Sequence, residues 1–264
     1  MTLTVYVNGI GVLGPGLAGW HSSAAILAER ETYGCAATLL PVLTMLSPTD
    51  RRRTGRVIRV ALAVALEATA AAGAEGRDVP SVFTSSGSDG QICHELCSAL
   101  ATPEREISPT RFSNSVHNAP AGYWSIATGN MAAANVLCGH DASFVAGLLD
   151  AAAQACAEGV EVLLVSFDTE YPEPLNAKRP IPDAMGVALV LAPEASSRSS
   201  VRLAIEFTGE APDRLQGELE TLRTAIPAAR ALPLLRAIAA GEAASVVLEY
   251  LPDLAACVRI EPCH

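Results

Sequence analysis

In "CGHDASFVAG", residues 138–147, a cysteine, a histidine, an aspartate and a serine stand together where a strand gives way to a helix. Such a cluster suits nucleophilic chemistry, because the positive end of a helix macrodipole favours a thiolate or a carboxylate. Three further stretches carry reactive types. In "SNSVH" (113–117), Ser115 and His117 are two residues apart and would share a face if the segment were a strand. Ser115 or Ser143, with His117 or His140 and Asp141, would make a hydrolase or acyltransferase set, although no G-x-S-x-G elbow supports a serine nucleophile. "CHELC" (93–97) puts Cys93, His94 and Cys97 on one helical turn, but no second ligand pair with suitable spacing follows, so no metal is expected. Gly9, Gly11 and Gly14 spell the dinucleotide pattern G-x-G-x-x-G after a strand. Pro15 and Gly16 interrupt where the helix should start, and no second strand ending in an acid follows. The glycines then read as a tight loop leaving the sheet, and no cofactor is expected.

The elements that must position these residues alternate between strand and helix. "TLTVYVNGIGVLGPG" opens as a strand, "SPTDRRRTGRVIRVALAVALEATAAAGAEG" (47–76) is one helix capped by Ser47 or Asp50, and "SVFTSS" (81–86) is a short strand. Ile58, Leu62, Ala65 and Leu66 give the long helix an apolar face. Helices are predicted over 89–101, 119–129 and 142–159, a strand over 132–139, and a Pro-rich loop, "TPEREISPTRF", between the first two of these helices. "VEVLLVSFD" (160–168) is nearly continuously apolar, as a strand covered on both faces would be. A proline-rich loop (171–183) and a strand (184–194) follow. Beyond Pro193 the pattern weakens to two strands, "SVRLAIEF" and "SVVLEYL", and a surface helix in "DRLQGELETLRTAI". The whole reads as one α/β domain over 1–264, with a core over about 1–195 and an extension over 196–264.

With 264 residues, half of them hydrophobic, the chain can bury a sizeable core. A formal net charge of −10 argues against nucleic acid and anionic membrane surfaces as partners. The few basic residues cluster at Arg51, Arg52, Arg53, Arg56 and Arg59, either a solvated helix start or a docking patch for an acidic partner. The seven cysteines are odd in number and scattered, which reads as buried reduced thiols in a cytoplasmic protein. No uninterrupted apolar run long enough for a membrane span is seen.

"SPTRFSNSVHNAPAGYWSIATG" (108–129) followed by "CGHDASFVAGLLDAAAQACAEGVEVLLVSFD" (138–168) resembles the amino-terminal half of a β-ketoacyl synthase, one of the thiolase-fold condensing enzymes. "GIGVLGPG" and "RRRTGRVIRVALAVALEA" resemble that family's first turn and first long helix. The resemblance covers roughly residues 1–195 and implies a thiolase-like half fold, a mixed sheet covered by helices. Counting without gaps from Gly129, or back from Glu161, puts the family's nucleophilic cysteine at Asp141, with Cys138 three residues earlier inside the strand. Asp141 reads as a helix cap, a charged mimic or partner contact, or an acid or base; as a nucleophile it would form a reactive mixed anhydride. None of the five histidines, His21, His94, His117, His140 and His264, stands where the family's catalytic pair would be.

The resemblance therefore implies a non-catalytic subunit similar to the chain-length factors of type II polyketide and aryl polyene systems, inactive by itself and paired with a full-length ketosynthase. Strand 132–139 would pair antiparallel with that partner. Ser115, Val116, His117, Asn118, Tyr123, Trp124, Cys138 and His140 would lie at the interface or acyl channel, with core packing as the other reading of Tyr123 and Trp124. Arg51, Arg52, Arg53 and Arg56 would dock acyl carrier protein. The alternatives are a carrier-protein or acyl-chain binding module without a ketosynthase, and an independent thioester hydrolase or transferase using Ser115, His117 and Asp141.

Overall fold

The computed structural model describes residues 2–74 and 78–263. Its strands are β1 (Leu3–Gly14), β2 (Leu17–Ala18), β3 (Ser81–Thr84), β4 (Ala134–Leu137), β5 (Val162–Asp168), β6 (Met185–Ala192), β7 (Val201–Thr208), β8 (Ala244–Leu251) and β9 (Leu254–Pro262). Its helices are α1 (Trp20–Leu27), α2 (Pro48–Arg53), α3 (Arg56–Ala71), α4 (Gly90–Leu100), α5 (Pro109–Asn114), α6 (Ala119–Thr128), α7 (Ser143–Glu158), α8 (Gly217–Ala225) and α9 (Leu232–Ala240). The strands form one sheet in the order β4-β3-β5-β6-β1-β7-β9-β8, with β2 beside β1. The sheet is mixed: β3 pairs parallel with β4 and β5, and every other pairing is antiparallel. None of the helices among the described residues is long and apolar enough to cross a membrane.

β5 is buried at every position because both faces are covered. Val162 and Leu164 pack with Phe144 and Leu148 of α7, whereas Leu163, Val165 and Phe167 pack with α3 and α6. The alternation is the period-2 geometry of a strand. β1 obeys it through a bulge. Its pairing with β6 shifts register between Val7 and Gly9, and the extra residue keeps Val5, Val7, Ile10 and Val12 all in the cluster with α7.

Gly9 and Gly11 then turn toward α3. A Cβ at Gly9 would lie 2.0 Å from the Ala68 carbonyl oxygen, and one at Gly11 2.1 Å from that of Val64. The glycines belong to the strand, not to a loop leaving the sheet, and they let a helix backbone lie against it. The expected helix over 47–76 is two helices. Thr54 takes extended backbone and breaks the chain before α3, while Ser47 caps α2 by accepting from the Asp50 amide. The Pro-rich loop 102–112 contains the start of α5, capped by Ser108. The strand expected over 132–139 is shorter, so Cys138 lies just past β4 instead of inside it.

Residues after Pro193 continue the sheet. β7 pairs antiparallel with β1, β9 with β7, and β8 with β9. α8, α9 and a 3-10 turn at Pro227–Ala231 pack in the cluster with α7. α1, α9 and β9 carry no strong sequence signal. The cysteines correct the expectation of buried thiols: Cys35, Cys93, Cys97, Cys138 and Cys156 are exposed, and Cys257 and Cys263 are half-buried.

Candidate functional site: the turn between β4 and α7

Between β4 and α7 the chain makes a 3-10 turn, His140–Ala142, and His140 takes a left-handed backbone with φ 53°. That conformation is uncommon for a residue with a side chain, and it re-aims the chain as the strand becomes a helix. Asp141 does not cap α7. The cap residue is Ala142, with no side-chain hydrogen bond. The Asp141 carboxylate instead accepts from Arg179 Nη2 at 2.8 Å and lies 3.7 Å from Arg230 Nη2. Ser143, fully buried, closes the turn by accepting from the Gly139 amide at 3.0 Å and donating to the His140 carbonyl at 2.7 Å. The Cys138 thiol donates to the Ser86 carbonyl at 3.2 Å.

Behind the turn stands Asp168, at the end of β5, which the sequence reading passed over. Its carboxylate accepts from the Ser86 amide at 2.8 Å, the Ser86 hydroxyl at 2.6 Å and the Ser85 hydroxyl at 3.3 Å. Burial pushes its pKa up to about 6 against the pull of these donors. The Ser86 hydroxyl also lies 3.2 Å from the Tyr171 hydroxyl. An acid at the end of a nearly continuous apolar strand, with "SS" just past its parallel neighbour, is the available signal. Arg179 and Arg230 had none, since both come from segments without a recognisable pattern.

The hydrolase set is not assembled. Ser115 is the C-cap of α5, in helical and not strand backbone, and its hydroxyl donates to the Phe112 carbonyl at 2.8 Å. No hydrogen bond among the described residues joins Ser115, His117 and Asp141, and Ser143 is spent on its own turn. Tyr123 and Trp124 are buried in the cluster with α3, as the core-packing reading of them expects. Val116, Asn118, Cys138 and His140 are exposed. Cys93, His94 and Cys97 are exposed on α4, and no group of three or more metal-ligand side chains occurs among the described residues. His264 lies outside the described residues.

The arginine cluster divides. Arg51, Arg52 and Arg59 line an open cleft of about 460 Å³ with Val42, Leu43 and Pro48. Arg56 lies outside that cleft and stays exposed, pairing with Glu170 at 2.7 Å and Asp183 at 2.6 Å. Arg53 is exposed on α2.

A family profile described as "Beta-ketoacyl synthase, N-terminal domain" matches residues 20–247. Among solved structures, the chain is similar to a ketosynthase in complex with its chain length factor from Xenorhabdus doucetiae, at TM-score 0.73 and 20% identity, covering 97% of this chain and 99% of that one. It is similar to the ishigamide ketosynthase/chain length factor at TM-score 0.73 and 13% identity, covering 99% and 100%. A third, a type II polyketide synthase acyl-carrier protein in complex with its ketosynthase bound to the hexaketide, gives TM-score 0.70 and 13% identity, covering 100% of both. At these identities the likeness shows the fold, the thiolase-like fold of ketosynthases. No curated protein matches the sequence.

Proposed function

The chain belongs to the β-ketoacyl synthase family, and on that footing we propose that it is a chain-length-factor-like subunit that pairs with an active ketosynthase and performs no condensation itself. One observation carries this reading. The Asp141 carboxylate, which the motif count from Gly129 and Glu161 puts at the family's nucleophile position, is engaged by Arg179. A carboxylate in an ion pair is a poor acceptor of an acyl group, and the anhydride it would form is not a durable acyl carrier. Cys138 does not replace it, because its sulfur turns back to the Ser86 carbonyl and does not lie at the start of α7.

Pairing would use β4. Ala134 and Asn135 are exposed there, and Phe112, Val116, Ile126 and Met131 expose apolar side chains on α5, on α6 and in the segments flanking them. A bare strand with apolar surroundings is the surface an antiparallel partner strand would cover. Val116, Asn118, Cys138 and His140 are the exposed residues of the expected interface, open to a partner. Two of the similar structures pair a ketosynthase with a chain length factor, and a third holds an acyl-carrier protein, which supports the same class of partners for this chain. Arg51, Arg52 and Arg53 would meet the acidic carrier.

Co-expression with a full-length ketosynthase from the same genome tests the reading. A 1:1 complex by size exclusion with light scattering, with malonyl-dependent extension lost only when the partner's nucleophile is replaced, supports it. Thioester turnover by the isolated chain, abolished by Asp141→Ala, overturns it.

A further inference from the structure

We infer that Asp141 has become the terminal acid of an ion-pair brace that holds the carboxy-terminal part of the chain onto the turn between β4 and α7. The brace runs through three arginines and three carboxylates. Asp141 receives Arg179 at 2.8 Å and faces Arg230 at 3.7 Å. Arg230, in the 3-10 turn before α9, also pairs with Glu249 on β8. Glu249 receives Arg223 of α8 at 3.4 Å, and Arg223 holds Glu220 through two bonds of 2.7 Å. Glu220 in turn accepts from the Leu215 amide at 2.9 Å.

Burial makes the brace matter. The Arg230 and Arg223 side chains are only 10% and 8% exposed. A guanidinium withdrawn from water that far must keep its carboxylates, because removing one partner leaves an uncompensated buried charge. Asp141 and Glu249 are each 44% exposed, so they are the solvent-facing ends that neutralise the cations beneath. The bonds tie together segments distant in sequence: the β4–α7 turn, the 171–183 loop, α8, the 227–231 turn and β8. A helix cap would give Asp141 a local role, whereas Arg179 and Arg230 give it a long-range one. This role is independent of the pairing proposed above, since every member belongs to this chain.

Hydrogen exchange on the isolated full chain tests the inference with three variants at one position. Asparagine caps a helix as well as aspartate does but carries no charge to neutralise an arginine. In Asp141→Asn, protection should fall about tenfold at 227–231 and 244–251 and stay unchanged in β3 and β5; Asp141→Glu should restore it. In wild type, raising salt should reduce protection at 227–231 and 244–251, and that sensitivity should shrink in Asp141→Asn. If Asp141→Asn matches wild type at both segments while Asp141→Ala does not, Asp141 is a cap and the brace is wrong. If both leave the two segments unchanged but abolish co-purification with the ketosynthase, Asp141 is a partner contact and the brace is again wrong. Should Asp141→Asn fail to fold, Arg179→Met gives the same readout from the other side of the pair, with unchanged protection overturning the inference.

Discussion

At one end of the sheet Asp213 covers the outer side of β8: its amide donates to the Val247 carbonyl at 2.8 Å, and its carboxylate accepts from the Val247 amide at 2.7 Å. At the other end no strand among the described residues pairs with the outer side of β4. Ser81 and Ser85 of the β3 side donate to the Ala133 and Leu137 carbonyls, so the backbone groups of Ala134 and Val136 point outward. Unpaired strand edges recruit other chains, and proteins that must not associate guard them. One guarded and one bare edge on the same sheet favour joining at a single end, which closes a pair and does not propagate a fibre.

The strand that the two halves share offers the largest break. Gly11→Ala sets a methyl group 2.1 Å from a helix carbonyl oxygen, so α3 must move off the sheet. It should lower stability by more than about 3 kcal/mol, read by urea unfolding, and loosen both ends together. A wild-type-like midpoint would mean that α3 does not lie against β1 as described.

pH separates the halves. Asp168 belongs to the β4 side, and its folded pKa is raised from 3.8 to about 6. Its folded form therefore holds a proton that the unfolded chain has released between these values. Its contribution is fully present below about pH 4 and is lost as pH rises through 6, a change of up to about 3 kcal/mol. Asp168→Asn should flatten the urea midpoint over that range; an undiminished slope would assign it to other groups. Glu220, on the β8 side, has the opposite sign. Its bonds to Arg223 lower its pKa to about 2, so its contribution is present above about 4.5 and fades only in stronger acid.

At the bare edge, Val136→Pro removes an outward amide without touching the bonds to β3. It should weaken association with the ketosynthase at least about tenfold in a binding titration while leaving the unfolding midpoint near wild type. An unaffected titration would move the interface away from β4. At the guarded edge, Asp213→Ala frees the Val247 amide at a cost of about 1 kcal/mol. Light scattering of the isolated variant should then show more concentration-dependent self-association than wild type. Equal scattering would mean that Asp213 stabilises its own loop but does not guard the edge.

How legible each region was follows from the range of its interactions. β5 and α7 are readable because burial on both faces writes a nearly continuous apolar run, and a helix with one apolar stripe writes a repeat of 3.6. The glycines of β1 were visible as a spacing but not as a meaning. G-x-G suits a phosphate loop and a strand under a close helix equally, and only the position of the Val64 and Ala68 carbonyls separates them. The break at Thr54 is signalled by Gly55, a poor helix former, but the helix-forming runs on either side of the pair outweigh it.

The sequence alone determined the alternation of strands and helices, the resemblance to the family, and the presence of an aspartate between the strand and the helix, because periodicity and motif order are local properties of a chain. The tertiary structure decided what that aspartate does. Arg179 and Arg230 reach it from segments with no pattern of their own, and Coulomb attraction depends on distance in space and on burial, neither of which is written in residue order. The same reason covers the exposed cysteines, the diversion of Arg56 to Glu170 and Asp183, and the unequal edges of the sheet.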